Sequence, residues 1–161
     1  TNKKEKAYLL NHFLEQFRTT LYRQTMFAEF EMITHDKIMK GESLTADILC
    51  QTYRELVTKY FGNDIIIDSE IDMEWARIPH FYRDYYVYQY ATGYSAASAF
   101  AASILNGGEK ELEEYKKFLK SGGSAYPIDI LKNSGVDMTT PAPILATMNR
   151  FKELLDLLEE L

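Results

Sequence analysis

From Tyr85 to Gly108 the chain carries no Asp, Glu, Lys or Arg, a stretch long enough to cross a bilayer. Its content argues against lipid. Five tyrosines, Gln89, Asn106, several serines and glycines and no sustained Leu/Ile/Val run make a poor hydrocarbon-facing helix. A helix apolar on all sides suits the interior of a larger protein instead, so no membrane partner is expected. At 161 residues and 46% hydrophobic, the chain is the size of one domain and can bury a core.

The remaining periodicity is helical. Between Lys3 and Met39 the apolar residues Leu10, Phe13, Leu14, Phe17, Leu21, Phe27 and Ile33 recur mostly three or four apart, predicting one long helix, bent or broken, that Gly41 ends. Thr45 is placed as an N-cap, with Leu44 and Leu49 as a hydrophobic staple, for a helix that Gly62-Asn63 stops after Phe61. Asp64–Met73 reads as a packed loop with room for a short strand, followed by a helical turn carrying Trp75 as a packing anchor. Pro79 is set to open a third long helix running to Leu105 and stopping at Asn106-Gly107-Gly108. Gly93, Ala97 and Ala101 fall four apart on it, so that a neighbouring helix can approach closely. Three further helices are expected: Glu109–Lys120, one opened by Tyr126-Pro127 and running to Asn133, and a last one to Glu159 with Thr140 as cap and Pro141 at its first position. The fold class is all-α, with about six helices.

The chemistry-bearing residues gather in Pro79–Tyr94, which holds His80 and six tyrosines. A core has little use for so many phenols, since each one buried without a partner costs about 1–3 kcal/mol. A polar ligand or surface is expected against them. Elsewhere the signals are weak. His12 and His35 have no ligand-like spacing, and neither His-x-x-x-His nor Cys-x-x-Cys occurs, so no complete zinc site is expected within the chain. Cys50 stands without a motif and reads as a buried, inert thiol. The glycine pairs at 107–108 and 122–123 lack the Lys-Ser/Thr of a phosphate loop. A net charge of −6 with no Lys/Arg-dense block argues against nucleic acid. The acidic balance and single cysteine suit a reducing, cytoplasmic setting.

Two blocks of sequence carry a family resemblance. His80-Phe81-Tyr82 with Tyr85-Tyr86-Val87-Tyr88-Gln89-Tyr90-Ala91-Thr92-Gly93 is the first. The second is Phe118-Leu119-Lys120-Ser121-Gly122-Gly123-Ser124, then Tyr126-Pro127, Leu131-Lys132, Gly135-Val136-Asp137-Met138, Pro141 and Pro143-Ile144. In this order and spacing they resemble the C-terminal part of oligoendopeptidase F, in the thimet oligopeptidase-like superfamily of zinc metallopeptidases, over essentially the whole chain. The family's His-Glu-x-x-His motif and following glutamate ligand do not occur in it. The resemblance therefore implies that residues 1–161 are a single α-helical region, the C-terminal portion of a larger catalytic domain of zincin type. Thr1, which is not an initiator methionine, fits that expectation.

What the resemblance implies about chemistry is hydrolysis of peptide bonds in short peptides. Zinc and a glutamate base, both supplied from outside this chain, drive a water onto the peptide carbonyl, and the negatively charged oxygen that results needs donors. Relatives of the thimet type supply a histidine and, five positions on, a tyrosine; His80 and Tyr85 reproduce that spacing. Their later tyrosines, nine and twelve positions after the histidine, are Gln89 and Thr92 here. Tyr88 is the substitute, about 60° around a continuous helix from Tyr85. Tyr82, and the Gly122-Gly123 loop with Tyr126, are expected to contact peptide, although plain packing and a plain turn also account for them. Expected partners are oligopeptides and the N-terminal part of the same protein, with self-association through uncovered apolar faces. The reading that competes is a non-enzymatic all-α module whose tyrosine face binds a peptide or protein.

Overall fold

The computed structural model describes residues 2–161; Thr1 lies outside the described residues. Among these, helices and turns account for all regular structure, with no strand. The α-helices are α1 (Lys3–Gln16), α2 (Arg23–Met39), α3 (Ala46–Phe61), α4 (Tyr88–Asn106), α5 (Glu109–Ser121), α6 (Pro127–Asn133) and α7 (Ala142–Glu159). They belong to two compact units. One comprises the residues up to Leu21 together with Thr92–Leu161; the other is Tyr22–Ala91.

The expected break in the first long helix is a π-helical stretch, Phe17–Tyr22, between α1 and α2. The Thr19 hydroxyl donates to the Glu15 carbonyl at 2.7 Å, and such back-bonding bends a helix. In the unit formed by the two chain ends, α1 packs against α7, and Phe17 sits between Tyr94 and Phe151 at ring-centroid distances of 5.1 and 5.4 Å. A second cluster in this unit gathers Ala96, Phe100 and Val136, with Phe100 against Tyr115 at 5.2 Å and Phe118 at 5.0 Å.

The Tyr22–Ala91 unit is built on α2 and α3. Met26, Phe27 and Phe30 of α2 pack on Tyr53, Leu56 and Val57 of α3, and Ile78 and Val87 close the core. Thr45 caps α3 as expected, accepting from the Ile48 amide, and Gly62 ends it at φ 77° and ψ −174°, a conformation open in practice to glycine only. No strand forms beyond it: Ser69–Arg77 is a 3-10 helix. The Arg54 guanidinium ties this segment to α3 by donating to the Ile67 and Asp68 carbonyls at 3.0 Å each and pairing with Asp72. Trp75 packs as anticipated, its ring stacked on Phe30.

Two sequence expectations are corrected. Pro79 opens only a 3-10 turn, Pro79–Tyr82; Arg83 is extended at φ −129° and ψ 94°, and α4 starts at Tyr88. A helix continuing through Tyr85 is prevented by a bond from a distant residue, described below. At the last helix, Thr140 does not cap. Its hydroxyl donates to the Asp137 carbonyl, and Pro141 itself occupies the cap position.

Candidate functional site

Tyr85 has φ 53° and is the only non-glycine residue with positive φ among the described residues. For a tyrosine this left-handed conformation costs about 1–3 kcal/mol and persists only where the surroundings impose it. They do so through Glu31 of α2, whose Oε1 accepts the Tyr85 amide at 2.7 Å. This bond takes the amide that a continuous helix would have used. The helical angle between Tyr85 and Tyr88 consequently does not apply, because only Tyr88 is in the helix.

The histidine and the nearby phenols sort into two groups. His80 lies parallel to Tyr86 at 5.6 Å and 3° between planes, and its Nε2 is 3.3 Å from the Tyr90 hydroxyl. Tyr90 in turn donates to Tyr86 Oη at 3.3 Å, and Arg83 lies over the Tyr86 ring. The bond to Tyr86, with a contribution from burial, raises the Tyr90 phenol above its usual range. Tyr85 instead lies against His35, ring centroids 4.8 Å apart. Val87 is fully buried and pins the segment to the core.

Around that anchor the phenols stay accessible: Tyr82 is 82% exposed, Tyr85 and Tyr88 each 49%, and Tyr90 37%. The expected cost of buried phenols therefore does not arise here. Phenols this exposed lie within reach of a ligand from solvent.

Gly122, Gly123 and Tyr126 belong to the other unit. Both glycines line an apolar cleft of about 750 Å³ with Gly93, Ala97, Phe100 and Phe118. Gly122 ends α5 at φ 50°. The small-residue row on α4 expected to receive a helix thus forms one wall of this cleft within its own unit. Tyr126 is exposed.

No group of three or more His, Cys, Asp or Glu side chains converges among the described residues, so these residues do not fit a zinc ion. Among the described residues no helix is long and apolar enough to cross a membrane. Sequence reasoning did not single out Glu31, His35, Tyr86 or Tyr90. The available signal was Glu31 beside the apolar Met26, Phe27 and Phe30 on α2, where a carboxylate needs a reason to be.

Residues 1–150 match the model of peptidase family M3. The chain is 56% identical over 160 residues to oligopeptidase PepF of Bacillus subtilis (strain 168), covering 99% of this chain and 24% of that protein. It is 43% identical to the chromosomal oligoendopeptidase F of Lactococcus lactis subsp. cremoris, covering 99% of this chain and 27% of that one. The crystal structure of oligoendopeptidase-F from Enterococcus faecium superposes with a TM-score of 0.96 at 48% identity, over 99% of this chain and 31% of the other. The chain thus spans about a quarter of the length of the curated relatives it matches. The resemblance drawn from the two sequence blocks is upheld, and the chain belongs to peptidase family M3.

Proposed function

We propose that the complete protein is a zinc-dependent oligoendopeptidase hydrolysing peptide bonds in short peptides, and that this chain is the C-terminal part of its catalytic domain. Zinc, its ligands and the general base come from sequence outside the chain. His80, Tyr85 and Tyr88 offer hydrogen-bond donors to the peptide, foremost to its carbonyl oxygen as that oxygen gains negative charge. Tyr82 contacts the substrate, as do Gly122, Gly123 and Tyr126. The observation that carries this reading is the exposure of the phenols at Tyr82, Tyr85, Tyr88 and Tyr90 around a buried Val87, in a member of a peptidase family. The N-terminal part of the protein is the partner that covers exposed apolar side chains such as Leu105 and Leu119. The lone Cys50 and the net charge of −6 support a cytoplasmic location.

Replacing Tyr85 by Phe in the complete enzyme tests the assignment. The expected result is a fall in kcat of about 10- to 1000-fold on a fluorogenic oligopeptide with a smaller change in KM, as for loss of one oxyanion donor. An unchanged kcat removes Tyr85 from the chemistry.

A further inference from the structure

We infer that Glu31 and His35 are positioning residues for Tyr85, an inference that rests on the peptide-site reading above. The two stand four apart on α2 and so share one face of that helix. Each holds a different part of the same residue. Glu31, only 3% exposed, fixes the backbone through the 2.7 Å bond to the Tyr85 amide, while His35 fixes the ring through a tilted contact at 4.8 Å. Between them they determine where the hydroxyl points, and neither uses the hydroxyl itself. The phenol remains half exposed.

The arrangement explains why the left-handed turn falls on a tyrosine when Gly93 and the other glycines are spent elsewhere. Glycine would relieve the backbone but would deliver no hydroxyl. A tyrosine there requires an outside acceptor for its amide, and a buried carboxylate from a packed helix is a rigid one. What matters is the acceptor oxygen rather than the charge, so glutamine should serve in place of Glu31.

The test uses the complete enzyme with a fluorogenic oligopeptide and four variants: Glu31→Leu, Glu31→Gln, Tyr85→Phe and the double Glu31→Leu/Tyr85→Phe. Glu31→Leu should lower kcat by about 10- to 100-fold with KM within about threefold, the scale of a misplaced catalytic group. Glu31→Gln should stay within about threefold of the unmodified enzyme. In the Tyr85→Phe background Glu31→Leu should cost no more than about threefold, since the hydroxyl it places is already gone. Equal losses in both backgrounds, or a glutamine variant as impaired as the leucine one, would overturn the inference.

Amide hydrogen exchange at Tyr85 provides a readout that needs no catalysis. It should be at least about tenfold slower than an unbonded loop amide in the unmodified enzyme and should become fast in Glu31→Leu. Should Glu31→Leu fail to fold, the unmodified enzyme still decides, because fast exchange there overturns the inference. If Tyr85→Phe leaves kcat unchanged while the amide is slow, the positioning stands and the oxyanion role of Tyr85 fails.

Discussion

The Tyr53 phenol donates to Glu74 Oε2 at 2.6 Å, joining α3 to the 3-10 helix Ser69–Arg77 in the middle of the unit's core. Both residues are buried. The other carboxylate oxygen, Oε1, receives Arg23 of α2 at 2.6 Å and also Arg77. Three segments of the chain therefore meet on one buried carboxylate. Removing a partner from such a cluster is costly because it leaves desolvated charge uncompensated.

Acid should loosen this unit. Burial pushes the Glu74 carboxyl upward, but the hydrogen bonds from Arg23 and Tyr53 and the charges of Arg23 and Arg77 outweigh it, and the group ends below the usual glutamate range. A depressed folded-state pKa gives stability that is present in full above the unfolded value, about 4.3, and lost as pH falls through the folded one. Melting temperature measured from pH 7 down to about 3 should fall more steeply for the native chain than for Glu74→Gln, which begins less stable but has no such carboxyl to protonate. Parallel curves would show that Glu74 does not contribute this way.

In the other unit, Phe100→Ala should cost about 3–5 kcal/mol, the cost of truncating a buried aromatic. Phe100 is almost fully buried against Tyr115 and Phe118, whereas Leu119, one residue on, is well exposed. Leu119→Ala should accordingly stay within about 0.5 kcal/mol. Urea unfolding of both variants by circular dichroism makes the comparison, and equal midpoints would contradict the packing described.

Gly123→Ala isolates substrate contact from folding. Nothing lies within 4 Å of the position its Cβ would take, and its φ is not in the left-handed region, so stability should change by less than about 0.5 kcal/mol. In the complete enzyme a raised KM with unaltered melting would then report contact with peptide. Unchanged KM and kcat would remove Gly123 from the substrate site.

Helix ends with local chemistry were legible in the sequence. Thr45 and Gly62 bound α3 as their side chain and its absence dictate, and Pro127 opens α6 at its first position. Thr140 misled because its hydroxyl donates back to the Asp137 carbonyl and α7 begins one residue later with Pro141 at the cap, while Asp137 itself, drawing the Thr139 hydroxyl and amide and the Lys132 ammonium, is held down to about 2. The site was legible as a segment and not as a geometry. His80 and the tyrosines were recognisable from their number and spacing, yet the histidine's neighbours are Tyr86 and Tyr90, and Tyr85 faces His35.

What the sequence by itself determined is the helical class, most helix boundaries and the family, because these follow from apolar periodicity, caps and contiguous motifs that act over a few residues. The tertiary structure alone decided the break at Tyr85 and the anchoring at Glu74. Each depends on a buried carboxylate brought from far along the chain, 54 residues away for Tyr85 and 21 from Tyr53 to Glu74. A local pattern favours helix by small increments per residue, and one hydrogen bond to a buried acceptor in the core is enough to outweigh them at a single position.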